Sequence, residues 1–230
     1  MYYSAFQGIN MKLSTLFFSL VFGCGLVSGQ SIAATVETDQ YVVSYDESTG
    51  FGGISTLFST SDGRYGFSWG IPSSVATGGA FSADLPNFTV TAKSGYALAG
   101  DINGSVEGLS YFLFGGGSAS VTASGNLAIG SSSYTLGGSL TKVAVLTTSG
   151  YEAGYFTGFA SLPVSGSFAS LAFTGGELAL AVDSGGVWAT NKGDVGFSFV
   201  VIAVPEPETY AMMIAGLGML LVAARRCRQA

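Results

Sequence analysis

The residues that could do chemistry in this chain are few, because its 230 positions contain no histidine. Cysteine occurs only as Cys24 and Cys227, each inside a terminal apolar segment. Nucleophilic schemes that pair Ser or Cys with His cannot be assembled, and the usual His/Cys zinc sets fail for the same reason. Paired carboxylates remain open, as in glycoside hydrolysis. Yet the acids are scattered, mostly beside Gly, Ser or Thr, and Asp46, Glu47, Asp101 and Glu107 are candidates only by their presence. The expectation is a protein without cofactor or catalytic activity, with a carboxylate-dependent glycoside hydrolase as the remote alternative.

Two further patterns could bind. Asp101, Asn103 and Ser105 offer oxygens at alternate positions, as hard-cation loops do, but the Gly104 spacing is wrong for an EF-hand and Phe112 stands at loop position 12. The competing reading is an Asn103-Gly104 hairpin turn joining strands 96–102 and 105–114. Tyr65, Phe67 and Trp69 alternate along one strand, so they share a face. Exposed, they could stack on sugar rings; buried, they are the large-residue face of a core. Trp188, in a turn-rich stretch, is the other candidate for glycan stacking. Gly115–Gly117 is not a phosphate loop, since no Lys-Ser/Thr follows.

The two ends read as addresses. After Met11 come Lys12 and an uncharged apolar run from Leu13 to about Val27, then Ser31 and Ala33 in a small-x-small pattern. This predicts a signal peptide over 1–33, cut after Ala33 or, next best, Ala34. Translation could begin at Met1 or at Met11, because the ten residues before Met11 are unlike a charged leader. At the other end Val204-Pro205-Glu206-Pro207-Glu208-Thr209 precedes an uncharged helix former, 210–224, and then Arg225, Arg226 and Arg228. Fifteen helical residues span only ~22 Å against a ~30 Å bilayer core, so the segment is a thin transmembrane helix. Arginines after it and glutamates before it place the body outside and the tail in the cytoplasm.

This order of parts resembles the PEP-CTERM sorting signal of Gram-negative bacteria, with Pro205-Glu206-Pro207 as the motif and Val204 to Ala230 as the matching span. The resemblance implies recognition by exosortase, a membrane-embedded processing enzyme, and cleavage near the motif. It also implies release or attachment at the cell surface in a biofilm-forming, exopolysaccharide-producing host. The plain alternative is an ordinary C-terminal anchor.

The elements that lie between these addresses occupy residues 34–203, expected to be one secreted β-sandwich domain. Twelve acids against Arg64, Lys93, Lys142 and Lys192 give residues 34–204 a net charge of −8, which argues against nucleic acid as a partner. No cysteine lies there, so stability must come from a core. Period-two alternation recurs: Phe88, Val90 and Ala92; Thr141, Val143, Val145 and Thr147; Leu178, Leu180 and Val182; Val195, Phe197, Phe199 and Val201. Gly-rich punctuation at Asn103-Gly104, 115–117, 137–138, 175–176 and 185–186 predicts turns. The fold class expected is all-β, an antiparallel sandwich of jelly-roll type with roughly 10 to 14 short strands. The function expected is an exported structural protein of the cell surface or polysaccharide matrix, passing through an inner-membrane intermediate with its body in the periplasm. A glycan-binding module is the alternative.

Overall fold

Side chains that alternate between apolar and polar can satisfy a buried face and a wet face only as strands, and strands account for nearly all of the body. The computed structural model describes residues 33–72, 75–144, 150–205 and 207–227. Among these residues the chain forms β1 (Ala33–Glu37), β2 (Tyr41–Asp46), β3 (Thr56–Ser59), β4 (Arg64–Gly70), β5 (Val75–Asp84) and β6 (Phe88–Ala92). There follow β7 (Tyr96–Phe114), β8 (Ser118–Ile129), β9 (Ser132–Val143), β10 (Tyr151–Leu162), β11 (Ser167–Phe168), β12 (Ser170–Ala203) and the helix α1 (Pro207–Cys227). Residues 1–32 of the expected signal peptide, Ser31 included, lie outside the described residues; Ala33, its expected last residue, and Ala34 open β1, opposite Asp46 and Tyr45.

Every ladder is antiparallel, and β12 organises them. Along one of its edges run β4, β5 and β6 in chain order, and along the other β7 and then β8. A straight strand of 34 residues would be on the order of 110 Å long. Its two ends are nevertheless bridged by one short connection: Ala92 N donates to Ala169 O at 2.9 Å, and Val204 N to Gly95 O at 2.8 Å. The strand must therefore curl over, and Phe173 and Phe197, from its two halves, lie with ring centroids 6.2 Å apart.

The all-β antiparallel class is thus as expected, built as one hydrogen-bonded sheet whose halves face each other. The first half of β12 lies with β2, β6, β8 and β9, and the second with β3, β4, β7 and β10. Aromatic rings fill the space between. Phe88 of β6 meets Phe67 of β4 at 5.1 Å and Phe197 of β12 at 4.8 Å, and Tyr41 of β2 meets Phe199 at 5.0 Å. Burying each such ring contributes on the order of 1.5–3 kcal/mol. The alternating sets Phe88/Val90, Leu178/Leu180/Val182 and Val195/Phe197/Phe199 all point into this core.

The strands differ from expectation in length. Gly115–Gly117 is a turn, with Gly117 N donating to Phe114 O at 2.7 Å. The other glycine pairs do not reverse the chain: Gly137-Gly138 lies inside β9, and Gly175-Gly176 and Gly185-Gly186 lie inside β12 beside its register shifts. The Asn103-Gly104 hairpin is absent as well. Asn103 pairs with Ser161 on one side and Ser198 on the other, so two full ladders outweigh the local turn preference. Glycine works here as a corner in a long strand. At Gly185 φ is +123°, and a Cβ would collide with the Phe112 carbonyl oxygen.

Candidate functional site

The segment best placed for recognition is where the sheet ends. Ala203 is the last residue of β12 and pairs with Tyr96. Val204 and Pro205 are exposed, and Pro207 opens α1, a position where its missing N–H costs nothing. Glu206 lies outside the described residues. The helix runs 21 residues, further than the apolar run expected over 210–224. Tyr210, Met212, Met213, Ile214, Leu217, Met219 and Leu220 are all exposed, and their spacing puts them round the whole helix. Arg225 is exposed near its end; Arg228 lies outside the described residues and Arg226 is placed only as part of the helix. Among the described residues, no helix is long and apolar enough to cross a membrane.

Residues 203–229 match a family model, the PEP-CTERM protein-sorting motif. The tail is a PEP-CTERM sorting signal. It marks the chain as an exported protein sorted by exosortase toward the cell surface. The match begins at Ala203, the last residue of the body, and leaves the rest of the body uncovered; a search of curated proteins finds nothing similar to the chain. The PEP-CTERM motif sits one residue beyond the last strand, so the segment to be recognised is held at the margin of the folded sheet by the Val204–Gly95 hydrogen bond.

Away from the PEP-CTERM tail, the sequence candidates fare differently. Phe67 and Trp69 are 0% and 2% exposed, packed edge-to-face at 5.1 Å, and Tyr65 is half-buried against Tyr41. That stripe is core and cannot present a sugar platform, which corrects the stacking assignment for Phe67 and Trp69. Trp188 lies within β12 rather than a turn, at a register position between Val75 and Ser110. Sequence reasoning missed the outer face of β7 and β10. There Phe114 is 53% exposed, Tyr151 47% and Tyr155 66%. Phe112 stacks on Tyr151 at 4.8 Å and meets Phe114 edge-on at 5.2 Å. The alternation Ser110-Phe112-Phe114 was visible, but Tyr111 and Leu113 between them are equally apolar and disguise which face is wet. The ladder Tyr155–Ser110–Trp188 places Trp188 in the same row.

The cation reading of Asp101, Asn103 and Ser105 is also corrected. These residues lie in β7, and a guanidinium already occupies their neighbourhood. Arg64 Nη2 donates to Asp101 O at 2.6 Å and to Ser198 O at 3.3 Å. With the Asn103 amide oriented to suit, its oxygen accepts from Arg64 Nη2 at 3.1 Å and its nitrogen donates to Ser161 Oγ at 2.8 Å. Among the described residues no cluster of three His, Cys, Asp or Glu could hold a metal. Asp101 and Glu107, six positions apart on one strand, are separated by ~20 Å, well beyond glycosidase spacing. Asp46 accepts from Ser48 N at 2.9 Å, which holds its carboxyl below the usual range, and Glu47 accepts from Tyr45 Oη at 3.2 Å.

Proposed function

We propose that the chain is a structural protein of the cell surface or of an extracellular polysaccharide matrix, delivered through its PEP-CTERM signal. The observation that carries this reading is positional: an exposed Val204-Pro205 lies directly between a closed β body and a helix apolar on every side. A helix of that kind needs a non-aqueous surrounding. Its uncharged part, 210–224, measures only ~22 Å against the ~30 Å bilayer core, so the span in this reading is a thin one, helped by arginines that reach the interface. In this reading α1 is a transient inner-membrane span, with Arg225, Arg226 and Arg228 in the cytoplasm and the body in the periplasm. Exosortase then cuts near Pro205–Pro207. No catalytic role is assigned, in keeping with the absence of histidine from the sequence.

Intact mass spectrometry of envelope and medium fractions from the native host tests this. The expected species begins near Ala34 and ends near Pro205–Pro207. A membrane species that retains Ala230 would leave an ordinary anchored surface protein.

The exposed aromatic face of β7 and β10 favours a second reading, a glycan-binding module in which Tyr151, Tyr155 and Phe114 stack on sugar rings. Tyr155→Ala separates the two. A glycan binder loses retention on host polysaccharide, whereas a purely structural body is retained or excluded equally with and without the ring.

A further inference from the structure

A sheet edge is a row of free N–H and C=O groups, ready to pair with another strand. Among the described residues β9 pairs only with β8, so its outer edge is such a row. Gly130 and Ser131 form a two-residue loop closed by Ile129 and Ser132, a pair that exchanges both its hydrogen bonds. The even-numbered residues of β9 therefore spend their backbone groups on β8, and the odd-numbered ones, from Ser133 to Val143, turn theirs outward. Other edges of the sheet are blunted. β1 and β3 are only five and four residues long, and the pairings of β5 and β10 are broken by register shifts. In contrast, β9 runs 12 residues in unbroken register, without proline. Charge singles out the same strand. The chain carries no Asp or Glu between Glu107 and Glu152, so in a body of net charge −8 this is where two copies repel least. Lys142 is the one charge on β9.

We propose that this edge pairs with the same edge of a second copy, antiparallel about a two-fold axis at Gly138. In that register Ser133 lies opposite Val143 of the second copy, Thr135 opposite Thr141 and Gly137 opposite Ser139, which uses every outward group of the strand. The inner rows stay in phase. Buried Leu136 comes beside Leu140 of the second copy, which is packed against that copy's core, so the apolar row runs on from one copy into the next. Lys142 meets the Tyr134 ring rather than another Lys142. Gly138 faces its own copy in a non-hydrogen-bonded pair, where backbones stand ~4.5 Å apart and a missing side chain eases the approach. The edge is separate from the PEP-CTERM tail and from the exposed rings of Phe114, Tyr151 and Tyr155, so failure of the proposal would leave both readings above intact.

The test uses the full chain in detergent, carrying Cys24→Ser and Cys227→Ser. Sedimentation is expected to show a dimer at ~100 μM. Thr141→Pro deletes one outward N–H from each copy and leaves the β8 ladder its bonds. It is expected to raise the dissociation constant of the dimer about thirtyfold or more, the worth of two hydrogen bonds. A monomer at the same concentration before that substitution overturns the proposal and leaves the edge to a strand of another protein. A dimer that Thr141→Pro does not weaken also overturns it, and moves the contact to α1 or to the outer rings. Register is read separately. Tyr134→Cys and Lys142→Cys, mixed under mild oxidation, are expected to form a disulfide with each other, since opposed residues lie within its reach. Either variant alone is expected to stay unlinked, because like positions are ~27 Å apart. No link in the mixture, or equal linking of either variant alone, overturns the proposal whether or not Thr141→Pro folds.

Discussion

Tyr41 shows how far burial alone changes a side chain's chemistry. Desolvation, with a smaller contribution from Tyr65, pushes its pKa from 10.0 up to about 12. The fold therefore favours the neutral phenol. Stability from this group is fully present below pH 10 and is lost as pH rises from about 10 to 12, at most about 2–3 kcal/mol. Urea midpoints at pH 9 and pH 11.5 should differ for the native sequence and differ less for Tyr41→Phe. Tyr45 and Tyr111 are raised by burial too, so some slope will remain. Asp194 obeys the same sign: burial raises its pKa, so its contribution is present below the usual carboxylate range and lost as pH rises through the raised value. It also stands across the ladder from Glu107. Asp194→Asn should stabilise the protein at pH 7 by about 0.2–1 kcal/mol, the scale of a like-charge cross-strand pair; an unchanged denaturation midpoint would remove both causes. Residue identity was legible in the sequence for Phe67 and Trp69 as a shared face. Which side of the sheet that face addresses was not, because it depends on Phe88 and Phe197, 21 and 130 positions from Phe67 in the chain.

At the scale of elements, the alternating segments were readable and their joints were not. A glycine pair looks the same in sequence whether it turns the chain back or bends a strand that continues. The difference lies in partners: Gly185 is ringed by the backbone of β7, whereas Gly116 has open space around it. The two glycines should therefore respond differently to alanine. Gly185→Ala meets a backbone carbonyl at a corner and should destabilise by more than about 2 kcal/mol. Gly116→Ala suffers only the left-handed backbone cost, about 1 kcal/mol. Equal losses in thermal unfolding would show that β12 does not bend there as described. The same long pairing explains why Asn103-Gly104, a strong local hairpin signal, yielded to two neighbouring strands.

At the scale of the whole molecule, the sorting motif was legible because its logic is linear: motif, apolar stretch and arginines in a fixed order. The body was legible only in class, since its topology rests on pairings between residues up to 136 positions apart, such as Arg64 with Val200. Ending the chain after Pro205 should leave the denaturation midpoint unchanged, because every strand is kept. Ending it after Lys192 should prevent folding, since β4 and much of β7 lose their shared partner. The central position of β12 also governs timing. It is the last strand of the body to leave the ribosome, so β4, β5, β6, β7 and β8 wait with open edges until it arrives. Long-range pairing of this kind is slow, which keeps the chain threadable through a translocation channel for most of its passage. The last strand and the Pro-Glu-Pro that follows it then emerge at nearly the same moment, so the body first holds all its strands when the sorting signal appears.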